Sequence, residues 1–518
     1  MAQETARFVC TDTDPVVATD SGKIRGYWRR GTFTFSGVPY ADAERFQMPR
    51  RPQPWSGVRD TLNYGYVCPL VERPRPETDM LIAYRYWPEN EHCQNLNIWT
   101  PSLDPAAKLP VIIWLHGGGF NVGSAIEMIA YDGTALSRAG NAVIVSVNHR
   151  LNILGHLDMS SFDGRKYANS ANAGLADLVA ALQWIQENIT AFGGDRDNVT
   201  LLGQSGGGGK IIALGQTPAA AGLFHKAIIM SGVVDLDYGT RDDRRVLLEM
   251  LKELGLQACD WEKLETLPYS ELARAFRGVR KRLSPEGVQF FPMPKENDWY
   301  LGEPLHVGFG AHMNNIPVLV GSTISEVEPA AVGLFRNCGI PEIEKKRLLE
   351  ERYGDNLPKL IQCFRAAYPG KDLMQLMALD ILFREPTLRY LRLRQSASAA
   401  TYNYLLALAL PYKGGTPMWH SGDIPFAFHN VSRVPVSDFG PAADVLEEQL
   451  SGAFLSFAET GIPRQAILPE WPAYTDESRA TMLFDEHCEV RVDYDRDLVN
   501  LLKLSFHPFR SDKDYRDE

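Results

Sequence analysis

Cysteine is sparse in this sequence: seven in 518 residues, at 10, 68, 93, 259, 338, 363 and 488, with no C-x-x-C pair and no His/Cys cluster at metal-ligand spacing. That excludes a disulfide scaffold and argues against structural zinc. Basic charge is short as well. Lys and Arg number 53 against 64 Asp and Glu, a formal charge of −11, and a chain without a basic face is a poor partner for nucleic-acid phosphates. Long apolar runs are missing: the two longest, Pro110–Leu115 and Leu405–Pro411, fall far short of the ~20 residues that span a bilayer. The opening MAQETARFVCTDTDPVV has no basic stretch leading into an apolar one, so it does not read as a secretory signal. The expected location is cytoplasmic, or secreted if a leader was trimmed. No internal period is visible, which removes repeat arrays, coiled coils and collagen.

What is present is ordinary globular material, 45% apolar and 23% charged, which excludes a largely disordered chain. The length would allow about three domains, although α/β enzymes often reach it as one. Short apolar runs without polar alternation recur at Val111–Leu115, Ala142–Val147, Val199–Leu202, Ala227–Met230, Ile316–Val320 and Tyr402–Leu408. Runs buried on both faces are what a mostly parallel central sheet requires. Before them, Lys23–Tyr27 and Thr32–Gly37 read as a small β-meander. Between two of the runs, Leu175, Leu178, Val179, Leu182 and Ile185 line one face of a helix. The reading is a single α/β domain over 1–518, its sheet covered by helices, with a charged helical insertion or lid around 241–300 and a polar C-terminal tail around 505–518.

Two motifs carry chemistry. Gly203-Gln204-Ser205-Gly206-Gly207 follows the strand NVTLL and precedes a helix, the context in which G-x-S-x-G exposes a serine on a tight strand-to-helix turn. The helix start behind it favours negative charge at the same spot. A phosphate loop is the rival for GGGGK, but the Walker pattern needs glycine at 204 and Ser or Thr at 211, where Gln204 and Ile211 stand. The nucleotide reading fails. Upstream, His116-Gly117-Gly118-Gly119 follows the strand Val111–Leu115, where glycines let backbone N–H groups approach an oxyanion. His116 is expected to order that loop by hydrogen bonding rather than to act as base or metal ligand.

With both motifs placed, the chain resembles the type-B carboxylesterase/lipase family, from about Gly22 to Asp495. Further matching stretches are Gly37-Val38-Pro39-Tyr40, Glu91–Trp99, Val147–Leu151, Ala191–Asp195 and Phe457–Gly461. The resemblance implies an α/β-hydrolase fold and a Ser-Glu-His triad in that chain order, with no cofactor or metal. Its acid falls on Glu326 after Pro317–Gly321; Glu328 is the runner-up, because Val327 replaces the family's usual glycine. Its base falls on His420, ahead of Ile424-Pro425-Phe426. His429 and His312 read as ordinary surface or core histidines. The oxyanion donors would be the N–H groups of Gly118, Gly119 and Gly206, and the partner a small-molecule ester.

The sequence departs from the family at Gln204, where most relatives carry glutamate, and at Gly206, usually alanine. No tryptophan matches the one that stacks a quaternary ammonium in cholinesterases, Trp87 included, which argues against a choline ester. Cys68 and Cys93 stand where secreted relatives close a disulfide loop; thiols and a bond are both open. Arg45 and Glu91 match a structural ion pair, and the sequons at Asn188, Asn198 and Asn430 are expected by chance. Rival functions are an amidase, carbamate hydrolase or acyltransferase using the same triad, and a non-catalytic binding module of the same fold, which the complete triad disfavours.

Overall fold

The structure, a computed structural model, describes residues 8–72, 84–236, 241–288, 290–326 and 341–505. Its centre is a twelve-stranded sheet. Val143–Val147, Leu109–Leu115, Gly194–Gln204, Lys226–Met230, Val318–Thr323, Thr401–Leu406 and Ala480–Phe484 lie side by side in that order, all parallel. Antiparallel strands close both edges, Asn95–Thr100, Thr32–Pro39, Tyr27–Arg29 and Phe8–Val9 in turn on one side and Glu489–Val492 on the other. Val143–Val147, Lys226–Met230, Val318–Thr323 and Thr401–Leu406 are buried at every position, which is why their sequences read as near-continuous apolar runs.

Alternate residues feed two cores. Along Leu109–Leu115, Ile112 and Trp114 enter one, together with Leu450, Phe454 and Phe457 of the helix Pro441–Thr460. Val111, Ile113 and Leu115 enter the other, with Leu175, Leu178, Leu182 and Ile185 of the helix Ala173–Asn188. The period of two in the strand and the apolar stripe on each helix meet face to face. A buried bidentate pair, Arg150 with Asp177 at 2.7 and 2.8 Å, ties that second helix to the chain leaving Val143–Val147.

The helices Asp243–Glu253 and Tyr269–Leu283, with the 3-10 segment Ala258–Glu265 between them, build a third core against Phe46, Ile153 and Tyr167. Arg45 pairs with Glu91 and also donates to the carbonyls of Leu264 and Leu267, so the expected ion pair fastens this subdomain to the sheet. The helical segment is shorter than the sequence suggested. Helix stops at Leu283, the 3-10 turn Ser284–Glu286 follows, and residues 290–303 carry no helix or strand. Pro285, Pro292 and Pro294 remove backbone donors there, and Gly287 turns at φ 77°. At the other end the helix Arg496–Ser505 occupies the start of the expected tail; residues 506–518 lie outside the described residues, as does Glu328.

Candidate active site

The candidate residues gather at the carboxyl ends of the parallel strands. Ser205 follows directly on Gly194–Gln204 and precedes the helix Gly206–Gly215, in a conformation (φ 55°, ψ −125°) that few non-glycine residues adopt. The turn closes only because its neighbours lack side chains. A Cβ on Gly207 would lie 1.9 Å from the carbonyl oxygen of Leu115, and one on Gly203 2.5 Å from the backbone of Gly207. Strain held by the surrounding packing is what keeps the hydroxyl turned outward from the sheet edge.

The loop after Leu109–Leu115 folds over this corner. Gly118 and Gly119 both take left-handed backbone, φ 80° and 62°, and the carbonyl of Gly118 accepts from the N–H groups of Asn121 and Val122. Gly119 approaches so closely that a Cβ on Gly206 would stand 2.3 Å from its nitrogen. Glycine in place of the family's alanine is therefore a condition of this loop position. His116 is buried, with Nδ1 2.9 Å from the carbonyl oxygen of Gly117, and burial, then nearby Lys210, holds its pKa well below the ordinary histidine value. It orders the loop as a neutral ring, as the sequence suggested.

Glu326 leaves the strand Val318–Thr323 in left-handed backbone, φ 41°, fully buried. Its Oε1 accepts from the hydroxyl of Ser231 at 2.6 Å and the N–H of Thr323 at 2.7 Å. Its Oε2 lies 2.5 Å from Nδ1 of His420, and the N–H of His420 donates to the Glu326 carbonyl at 2.9 Å. Main chain and side chain thus lock the two residues together. The histidine ring also stacks on Phe383, with centroids 4.9 Å apart. Burial alone would lower the His420 pKa, but the charge and hydrogen bond of Glu326, aided by Asp423 and Asp380, more than reverse this, so the pKa is raised. Burial, followed by the charge of Glu326, pushes both Asp380 and Asp423 up, Asp423 to about 7.

The far face of the imidazole holds a surprise. Nε2 of Gln204 lies 3.2 Å from Nε2 of His420, whereas among the described residues Ser205 makes no hydrogen bond to His420. The ring nitrogen that would take the serine proton is in contact with the amide next to it. Ser231, Phe383, Asp380, Asp423 and Lys210 were not anticipated as parts of the site. Two carried a signal: Asp423 lies within the His420–Phe426 stretch, and Ser231-Gly232 ends a buried strand at the same sheet edge as Ser205.

Ser205, Gly206 and Gly119 open into a cavity of about 450 Å³. Phe120, Ile212, Phe291 and Met293 give it apolar walls, and Asp235, Glu296, Glu303 and Arg241 add charge. The irregular segment after Gly287 supplies one side of it. Trp87 is not among the lining residues and packs edge-on against Tyr64. Cys68 and Cys93 are free and buried. His429 and His312 stand away from the cavity, His429 bonded to Ser451.

The carboxylesterase family model matches residues 13–501. Para-nitrobenzyl esterase of Bacillus subtilis is 32% identical over 493 residues, covering 93% of this chain and 97% of that protein. The chain belongs to the carboxylesterase family. Phenmedipham hydrolase of Pseudarthrobacter oxydans is 30% identical over 509 residues, covering 93% of this chain and 98% of its own. Among solved structures, an esterase from Clostridium hathewayi that can hydrolyze aliphatic aromatic polyesters superimposes with a TM-score of 0.91 at 45% identity, covering 97% of this chain and 100% of that one. The fold is accordingly the α/β-hydrolase fold, and this carboxylesterase is a carboxylic-ester hydrolase.

Proposed function

We propose that this carboxylesterase works through an acyl-enzyme on Ser205, with His420 as base and acid and Glu326 orienting it. The observation that carries this reading is the 2.5 Å contact of Glu326 with Nδ1 of His420, on a ring whose other nitrogen faces the Gln204-Ser205 corner. Glu326 accepts the Nδ1 proton, which leaves Nε2 as the basic nitrogen of the neutral imidazole. As substrate enters, the Gln204 amide yields Nε2 to the Ser205 hydroxyl, since catalytic hydrogen bonds tighten only in the Michaelis complex. Ser205 gives its proton to His420 and attacks the ester carbonyl. The oxyanion is met by the N–H groups of Gly118, Gly119 and Gly206, the alcohol leaves with the proton from His420, and water repeats the sequence on the acyl-enzyme.

The apolar cavity supports esters with alkyl or aryl groups on either side of the carbonyl, in keeping with the relative that can hydrolyze aliphatic aromatic polyesters. The same intermediate would serve an amide, a carbamate or acyl transfer. Paired buried thiols at Cys68 and Cys93 suit a cytoplasmic setting. The test is direct. Ser205→Ala should abolish turnover of p-nitrophenyl acyl esters without altering the circular dichroism spectrum, and an organophosphonate should label Ser205 stoichiometrically. Label on any other residue overturns the mechanism, and an anilide and a carbamate assayed alongside rank the leaving groups.

A further inference from the structure

Lys210 lies one turn inside the helix Gly206–Gly215 with no exposed surface, and among the described residues no carboxylate forms an ion pair with it. Its Nζ donates instead to the carbonyl oxygen of His116 at 2.8 Å and reaches that of Gly117 at 3.5 Å. Removing an ammonium from water costs several kcal/mol, and its helix neighbours Ile211, Ile212 and Leu214 are all apolar. Packing alone would favour another aliphatic side chain here. The carbonyl partners mark the difference.

Those two carbonyls belong to the peptide units that run into the glycine loop. The oxygen of Gly117 and the N–H of Gly118 share one planar unit and point in opposite directions. A hydrogen bond from a cation to the oxygen fixes the plane and polarises its N–H into a stronger donor. Glycine backbone would otherwise turn easily.

We propose that Lys210 is a positioning residue of the oxyanion hole: from beneath the loop its ammonium holds the carbonyls of His116 and Gly117 away from Ser205 and so keeps the N–H of Gly118 aimed at the developing oxyanion, while Asn121 and Val122 hold the Gly118 carbonyl and with it the N–H of Gly119. This rests on the acyl-enzyme reading above. The groups facing it are His116 on the loop, His149 beyond Val143–Val147, His156 in the helix Asn152–His156, and Glu127. Burial holds all three histidines below their ordinary range, His156 down to about 3, so they add no charge near neutrality. Burial also pulls Lys210 down to about 7, against the opposing field of Glu127. Below that pH the cation is present; above it the proton leaves and the hold on the loop weakens.

The experiment compares the parent with Lys210→Met, folding being checked by circular dichroism. Expected are a kcat for p-nitrophenyl butyrate lower by about 10- to 100-fold, a KM within about two-fold of the parent, and phosphonylation of Ser205 slowed by the kcat factor. The parent's kcat should fall on the alkaline side of neutrality through an ionisation absent from Lys210→Met. An unchanged kcat, or an alkaline limb that survives the substitution, overturns the role. Should Lys210→Met not fold, Lys210→Gln, which keeps a donor and drops the charge, takes its place. If Ser205 is labelled in parent and variant alike while kcat is unmoved, only this inference fails; if Ser205 is never labelled, the acyl-enzyme reading fails first.

Discussion

Gln204 is the departure from the family with the most to say about mechanism, because its amide nitrogen lies 3.2 Å from Nε2 and 3.5 Å from Nδ1 of His420. Replacing it by Gln204→Glu keeps the shape and puts a carboxylate at the same place, at a position 1% exposed. An opposite charge favours the protonated imidazole, so the His420 pKa must rise further. At about 4 Å and an effective dielectric of about 20, a unit-charge pair is worth about 4 kcal/mol, an upper bound near three pKa units. The net change is smaller. The new carboxylate would be desolvated and would share the site with Glu326, Asp380 and Asp423, so it would hold a proton part of the time and its mean charge would be fractional.

About one unit is the expected shift, in the direction that costs activity at neutral pH. Only the neutral imidazole accepts the serine proton, and the acidic limb of kcat/KM reports its pKa in the free enzyme. That limb, measured with p-nitrophenyl butyrate from pH 5 to 9 at fixed ionic strength, should move upward by this amount. Cationic esters should gain relative to neutral ones, since the added charge attracts them. Profiles of parent and variant that overlay, with unchanged cationic preference, would refute the contact between position 204 and the base.

Three further outcomes follow from the geometry. Gly206→Ala introduces a Cβ 2.3 Å from the nitrogen of Gly119; the loop must retreat, and kcat should drop by about 100-fold, as for loss of one oxyanion donor, with a thermal scan showing the fold retained. Glu326→Gln should lower kcat by about 10⁴-fold, as removing the orienting charge of a triad does, while Glu328→Gln should leave it near the parent value; the reverse ranking would transfer the role. Burial raises Glu303 in the cavity wall to about 7, so the carboxylate forms as pH rises past neutrality; the ratio of kcat/KM for an ammonium-bearing ester to that for a neutral one should climb between pH 6 and 8 and stay flat in Glu303→Gln.

Much of this architecture is legible in the chain because burial on both faces leaves a plain mark. Val318–Thr323 and Thr401–Leu406 have no exposed position, so no polar alternation interrupts them. The serine turn is legible because its steric demands fix glycine at 203 and 207. Glu326 and His420 were reachable through resemblance alone, since nothing local distinguishes either from other carboxylates and histidines. What escaped was set by long-range packing. Phe383 reaches the imidazole by way of Asp380, whose carboxylate accepts the N–H groups of Leu382, Phe383 and Arg384. The cavity wall after Gly287 looked like more lid helix because its charge pattern continues past the prolines that end it. Lys210 entered the sequence reading only through the rejected phosphate loop, since a lysine beside four glycines carries no apolar periodicity.

These overlooked groups share a polarity. On one side of Ser205, His420 faces three buried carboxyls, Glu326, Asp380 and Asp423. On the other, the glycine loop rests on a buried ammonium. In the proposed mechanism, attack of the serine would move a proton toward the carboxyls and negative charge toward the loop, along a field that is already in place before substrate arrives. Such preorganisation is worth more in a dry site than in water, because no solvent has to turn as the charge develops. It also carries its own limit. Crowding the carboxyls raises Asp380 and Asp423 by burial and by the charge of Glu326, with Asp423 reaching about 7. Near neutrality they are therefore partly protonated, and the three never act as three full charges on the imidazole. Had they done so, His420 would stay protonated and the base would be lost; the burial that sharpens the field also caps it.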